Sequence, residues 1–315
     1  MLAVFIAAAV CSVLLVGCGS RVRIGTGGEG GSYYALGSLM GESLKKDCGM
    51  NVEVKTTAGS AANLRLLDEG FVQLALAQSD VTYDAYYGKD VFREKGALKG
   101  YGAVAALYDE TVHIVVPASS DIKNIEDLAD KRVSIGENDS GALINSKQIL
   151  QAYGISLSMV DGVKMSYDDA AEALKNGGIE AMFCTAGLKS EVLTELAEST
   201  PVRFLSIDKG KIDLLMKNYE VYQKAEIPAG TYKEQDEPVE AVAVKSLLLA
   251  SSDLSADKVE QVTKTLFEHK DEWAAEIPAL RDFDENSAVK SVTIPFHPGA
   301  AAYYESKGIS TGTEE

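Results

Sequence analysis

Arg21-Val22-Arg23-Ile24-Gly25-Thr26-Gly27-Gly28-Glu29-Gly30-Gly31-Ser32-Tyr33-Tyr34 reads as a short strand, a glycine-rich turn and the start of a helix. Past Ser32, the residues Tyr33, Leu36, Met40 and Leu44 fall on one helical face, which predicts a helix over 32–46. A strand passing through such a turn into a helix opens a parallel α/β unit. The letters Gly25-x-Gly27-x-x-Gly30 also match a dinucleotide-binding fingerprint. Glu29 inside the loop would repel a pyrophosphate, and Glu53, near the spacing of a ribose-binding acid, sits in the middle of a predicted strand. The same turn exposes backbone N–H groups at a helix start and suits other anions, or serves the backbone alone.

The preceding segment argues for a location outside the cytoplasm. Residues 1–17 carry no charge and end Leu15-Val16-Gly17-Cys18, the pattern of a signal peptide closed by a lipobox with Cys18 as the lipidated residue. This run is shorter than the about 20 apolar residues that span a bilayer. The remainder is long enough for two domains of about 150 residues each. A net charge of −17 excludes nucleic acid and direct adhesion to anionic headgroups. Cys48 and Cys184 are too far apart for a metal knuckle and too few for a disulfide framework, so two free thiols are expected.

Strand and helix patterns alternate through most of the chain, as in a mainly parallel α/β fold. Strands are predicted at 22–25, 51–57 and 74–77, each running into a polar loop. Segments 101–108 and 112–116 read as two strands near a crossing into a second region. Lys131 to Ile135, the turn Gly136 to Gly141 and a helix over 142–153 repeat the opening theme. A return through 239–250 and a helix over 256–273 would cover the first unit. The implied organisation is a leader over 1–17, lobe I over 18–112, lobe II over 113–238, and a return to lobe I over 239–315.

Loops at the carboxyl ends of parallel strands are where open α/β sheets bind ligands. In the first lobe this singles out Gly28, Ser32 and Tyr33, then Ser60, Asn63, Gln78 and Ser79. From the second come Ser140, a natural helix N-cap, and Gly141, with Phe183 and Thr185 at a further strand end. Short polar residues there also cap turns. Tyr83, Tyr86 and Tyr87 are secondary candidates. No nucleophile elbow, His-Glu-x-x-His, Cys-x-x-Cys or Walker loop is present, and His113, His269 and His297 are dispersed. Neither catalysis nor a cofactor is expected; Pro295 to Gly299 reads as a rigid turn.

Ile24 to Tyr34, Thr57 to Leu64, Leu74 to Asp80, Val112 to Val116, Ile122 to Leu128, Lys131 to Gly136 and Ile294 to Ala302 together resemble the TAXI family, solute receptors of tripartite ATP-independent periplasmic (TRAP) transporters. The resemblance implies a type II periplasmic-binding-protein fold, with two hinged α/β lobes around a ligand cleft. It further implies delivery of glutamate, 2-oxoglutarate or a similar organic acid or amino acid to a TRAP permease by a monomer. Combined with the lipobox at Cys18, this gives a receptor expected to be lipid-anchored in the periplasm or at the cell surface. Departures include Pro117, where members of the family often carry a basic residue, and Ala142, where they often carry Thr. An ABC-type or sensory receptor of the same fold is the alternative, and an extracytoplasmic oxidoreductase a remoter one.

Overall fold

The computed structural model describes residues 21–312; the leader and Cys18 lie outside them. Strands β1 (Val22–Gly25), β2 (Val52–Lys55) and β3 (Leu74–Gln78) are parallel in the order β2-β1-β3, and helices α1 (Ser32–Cys48) and α2 (Ser60–Asp68) make the crossovers. Helix α3 (Ser79–Tyr87) follows directly on β3. Parallel strands of this kind are covered on both faces. Leu36, Met40 and Leu44 of α1 pack on one face with α8 (Ala256–Glu276) and α9 (Pro298–Ser306), through Val262, Leu266 and Tyr304. Leu64 and Leu67 of α2 and Val81 and Ala85 of α3 pack on the other.

Two long strands join the lobes. β4 (Tyr101–Pro117) and β10 (Val239–Ser251) run antiparallel to each other, with register shifts between Lys245 and Leu247 and between Leu248 and Leu249. In lobe I, β10 pairs with β3 through Ser246 to Ala250. In lobe II, β4 pairs with β7 (Ala181–Ala186) from Thr111 to Val115, and residues 239–243 of β10 pair with β9 (Gln223–Ile227). The strands therefore change partners at about Asp109–Thr111 and Ala243–Ser246. The boundary expected between 112 and 113 falls inside β4. The segments read as two strands, 101–108 and 112–116, are one, because Asp109 and Glu110 fit an alternating strand as an exposed and a buried residue.

Lobe II repeats the layered plan. β5 (Arg132–Ser134) lies between β6 (Asp161–Val163) and β7 in parallel, and β8 (Val202–Phe204) pairs with β4. Helices α4 (Gly141–Ala152) and α7 (Lys209–Asn218) cover one face with Ile149, Leu150, Ile212 and Leu215. Helices α5 (Tyr167–Lys175) and α6 (Glu191–Ser199) cover the other with Ala170, Leu174, Leu193 and Leu196. This is the periplasmic-binding-protein fold of type II, two lobes hinged around a cleft.

Two local expectations are refined. The polar loop expected after the strand 51–57 ends early, since the chain is already helical from Ser60, with Ser60, Ala61 and Asn63 buried. The expected rigid turn at Pro295–Gly299 leads directly into α9: Phe296 bridges to Ala103 and the helix starts at Pro298. Pro298 occupies the first helical position, where its fixed φ and missing N–H are no handicap, and the His297 ring accepts from the Gly299 N–H at 3.2 Å.

Candidate functional site

A cleft of about 630 Å3, counting the part open to solvent, lies between the lobes. Four helix starts surround it: Ser32 of α1, Ser60 of α2, Gly141 of α4 and Tyr167 of α5. Strand ends bring in Gln78 of β3 and Thr185 of β7, and β4 contributes Glu110 at its crossing point. This size is that of a small-molecule site.

The glycine loop owes its composition to close approach. A Cβ on Gly25 would stand 2.7 Å from Asn63 Oδ1. The Asn63 amide uses that space to donate to the carbonyls of Thr26 and Leu76, each at 2.7 Å, while its oxygen accepts from Thr57 at 2.8 Å. Asn63 thus bolts the ends of β1 and β3 beneath the cleft. Gly28 lines the cleft and Gly30 reaches lobe II, its N–H donating to Asp168 at 3.3 Å.

Glu110 is the most buried acidic residue of the cleft lining, 3% exposed, and its carboxyl group accepts from Tyr33 Oη at 2.8 Å. Burial pushes its pKa up to about 8, more than the bond from Tyr33 pulls it back. The Gln78 side chain favours the charged form of the same carboxylate, while Gln78 Oε1 is buried and finds no donor among the described residues. Nearby, burial lifts Asp80 to about 7 against hydrogen bonds that favour its charged form. Asn145 of α4 donates to Asp80 at 2.7 Å and accepts from Thr185 Oγ1 at 2.9 Å, so the network crosses between lobes. The Tyr167 hydroxyl donates to the Thr185 carbonyl at 3.0 Å and accepts from its N–H at 3.1 Å.

The rim is also closed. The Ala62 N–H donates to the Asp139 carbonyl at 3.1 Å, and Arg65 pairs with the Asp139 carboxylate at 2.6 Å. Asp139 takes a left-handed backbone, φ 61°, a conformation that aspartate adopts more readily than most residues. Deeper in, Gly141 lies so close to Gln78 that a Cβ there would meet Gln78 Oε1 at 1.8 Å.

Of the residues expected from sequence, Gly28, Ser32, Tyr33, Ser60, Gln78, Ser140, Gly141 and Thr185 line the cleft. Several are already engaged within the protein. Ser60 Oγ accepts from the Gln78 N–H, and Ser140 Oγ caps α4 by accepting from the Leu143 N–H. Asn63, Ser79 and Phe183 do not line it. Asn63 is the bolt just described, Ser79 Oγ accepts from the Lys245 N–H at 3.0 Å, and Phe183 is fully buried in lobe II. The three tyrosines of α3 also lie off the cleft lining. Sequence reasoning missed Glu110, Glu137, Met165, Tyr167 and Asp168. Glu110 had a signal, an acidic pair inside the otherwise apolar run 101–117.

No Lys, Arg or His lines the cleft among the described residues, whereas Glu110, Glu137 and Asp168 do. This departs from the expected site for an anion held by helix starts alone. The histidines are occupied elsewhere. His113 is buried between the Thr111 carbonyl and Tyr232 Oη, and burial lowers its pKa to about 4; His269 sits between Asp47 and Glu272. Cys48 and Cys184 are free and lie in different lobes.

Solved structures share the fold at low identity. The alkanesulfonate-binding protein SsuA from Xanthomonas axonopodis pv. citri, bound to MOPS, is 15% identical with a TM-score of 0.55, over 92% of this chain and 80% of that one. A protein of Bordetella bronchiseptica RB50 is 17% identical with a TM-score of 0.55, over 94% and 91%. A structure described as a periplasmic transporter is 16% identical with a TM-score of 0.51, over 90% and 93%. The resemblance to TAXI receptors of TRAP transporters is corrected by the family match, which covers residues 24–308 and is to a different family description. The chain belongs to the NMT1-like family.

Proposed function

We propose that the chain is an extracytoplasmic solute-binding protein, not an enzyme, which closes its two lobes on a small molecule and hands it to an ABC-type transporter. The observation that carries this reading is the cleft itself, closed by groups from both lobes over a floor that keeps an unused acceptor, Gln78 Oε1. A ligand touching both lobes favours the closed state by its differential affinity, which is how such a receptor signals occupancy to a membrane partner. NMT1-like membership and the likeness to SsuA support the receptor reading. We propose Gly28, Ser32, Tyr33, Gln78, Gly141 and Thr185 as ligand contacts, joined by Glu110, Tyr167 and Asp168.

Two measurements test the proposal. Native mass spectrometry of the protein purified from its own host should reveal a small molecule released on denaturation. Uptake of that molecule into vesicles carrying the cognate permease should require this protein and ATP. Uptake driven by an ion gradient without ATP would remove the transporter assignment, and a protein that carries and binds no solute would remove the receptor assignment.

A further inference from the structure

We propose that the solute carries a protonated amine, which docks on Glu110 and Gln78 Oε1 at the floor of the cleft. The inference rests on the receptor reading above and names the chemistry of its ligand. Glu110 lines the cavity and is 3% exposed, as is Gln78. The Gln78 side chain faces Glu110, while its carbonyl oxygen lies against Gly141 with no donor. A buried acceptor without a donor is destabilising, and a ligand that supplies the donor removes that cost. One ammonium group supplies both missing parts, a positive charge for Glu110 and an N–H for Gln78. A quaternary ammonium supplies only the charge, and a carboxylate supplies neither.

Among the described residues, the surroundings of Glu110 offer no internal counterion. Tyr33 of α1, Tyr108 on its own strand, Tyr167 of α5 and Cys184 of β7 all have pKa values raised, first by burial, and stay neutral. Asp80 of α3 adds only further negative charge. Lys245 of β10, near in sequence register, is paired with Asp109 on the other face of β4 at 2.7 Å. Glu110 in the empty protein therefore stays protonated up to about pH 8. An incoming ammonium stabilises the carboxylate and releases that proton to solvent. Below about pH 8 each unit of pH then raises amine affinity by about tenfold, the sign and size expected for one proton released on binding. An acid that binds through the protonated Glu110 shows no slope below about pH 8 and weakens only above it. The helix starts of α1, α2, α4 and α5 remain to meet a polar or anionic group at the other end of the solute.

The experiment is titration calorimetry of the full chain with putrescine, glutamine and glutarate at pH 6, 7 and 8, in two buffers of different ionisation heat. The expected result is binding of at least one amine-bearing probe, tighter at higher pH, with proton release. Glu110→Gln should lower that affinity at pH 8 by more than 30-fold and flatten the slope. Gln78→Met, which keeps size and removes the acceptor, should weaken the amine while sparing glutarate, and serves if Glu110→Gln does not fold. Binding of glutarate alone, or amine binding that Glu110→Gln leaves unchanged, overturns the amine assignment and leaves the receptor reading standing. A native ligand whose mass identifies a molecule without nitrogen does the same. If no probe binds and the purified protein carries no small molecule, both readings fall.

Discussion

The floor and the rim of the cleft join the same two lobes with opposite chemistry. On the floor, Glu110, Gln78, Asp80 and Asn145 are each no more than 3% exposed, and two of them are carboxyl groups without a cation. On the rim, Arg65 and Asp139 are an ordinary ion pair, 28% and 55% exposed. An exposed pair contributes about 0–1 kcal/mol, too little to hold two lobes shut on its own. Groups buried without balancing charge carry much larger energies, and those energies change when a ligand arrives. On the proposed reading, the rim aligns the lobes and the floor selects what closes them.

The largest expected effect breaks this contrast through pH. Burial raises Glu110 from 4.5 to about 8 and Asp80 from 3.8 to about 7. An acid with a raised folded pKa binds its proton more tightly when folded. Its stabilising contribution is complete below the unfolded pKa and is lost as pH rises toward the folded value. His113, lowered from 6.5 to about 4, acts oppositely, losing stability as pH falls below 6.5, so the clear window lies between about 6.5 and 8. Urea denaturation of the ligand-free protein should show stability falling across that window by about 1–2 kcal/mol for each of the two acids, at 1.36 kcal/mol per pKa unit. Glu110→Gln should remove its share of the slope and raise stability at pH 8. A rim variant should leave the slope intact; equal slopes in wild type and Glu110→Gln would show that the floor carries no such strain.

Asn63→Ala attacks the foundation of the floor. It removes both donors that join Thr26 to Leu76 and the acceptor of the Thr57 hydroxyl; Thr57 and the Thr26 carbonyl keep their own bond at 2.8 Å, while the Leu76 carbonyl loses its side-chain donor. The expected loss is about 2–3 kcal/mol in a denaturation midpoint, larger than any single rim substitution. The reason this residue was read from sequence as a ligand contact is instructive. Strand-end position marks both ligand contacts and the bolts that hold the strand ends, and an alternating pattern cannot tell them apart.

The same limit runs through the rest of the site. The order of strands and helices was legible because apolar periodicity survives in a parallel sheet covered on both faces, as at Tyr33, Leu36, Met40 and Leu44. The helix start at Ser140 was legible because its cap is a local hydrogen bond three residues long. Glu110 was hidden since its importance comes from burial, and Tyr33, its partner, is distant in sequence. Tyr167 and Asp168 carried no signal of their own in the sequence, and Asp168 meets the first lobe only at the Gly30 N–H, a contact set by how the lobes come together. The lobe boundary expected between 112 and 113 had no local mark because β4 passes through both lobes without a break.

Gly141→Ala sharpens the comparison, since it lies where rim meets floor. The added methyl would collide with the Gln78 amide, which must swing off Glu110 or hold the lobes apart. Either outcome weakens ligand binding by about 10- to 100-fold, or 1.4–2.7 kcal/mol. Alanine near the start of α4 has better helix propensity than glycine, by up to about 1 kcal/mol, so folding stability should not fall. Scattering in solution should report a larger radius in the presence of ligand than wild type shows, and loss of stability without any change in closure would argue against the contact.

The smallest effect is expected at the rim. Arg65→Ala removes the pair with Asp139 and the stacking of the guanidinium 5.0 Å from the centre of Phe92. Both groups are partly in water, so the loss should be below about 1 kcal/mol, or at most about fivefold in affinity, and should shrink further as salt is raised. The Ala62 N–H bond to the Asp139 carbonyl is backbone and survives the substitution, which keeps the lobes in register. Affinity measured at low and high salt decides the matter. A salt-sensitive loss within fivefold assigns the rim to alignment. A loss of 30-fold or more, insensitive to salt, would mean that the rim contributes as much to closure as the floor, and the division of labour drawn between them would be wrong.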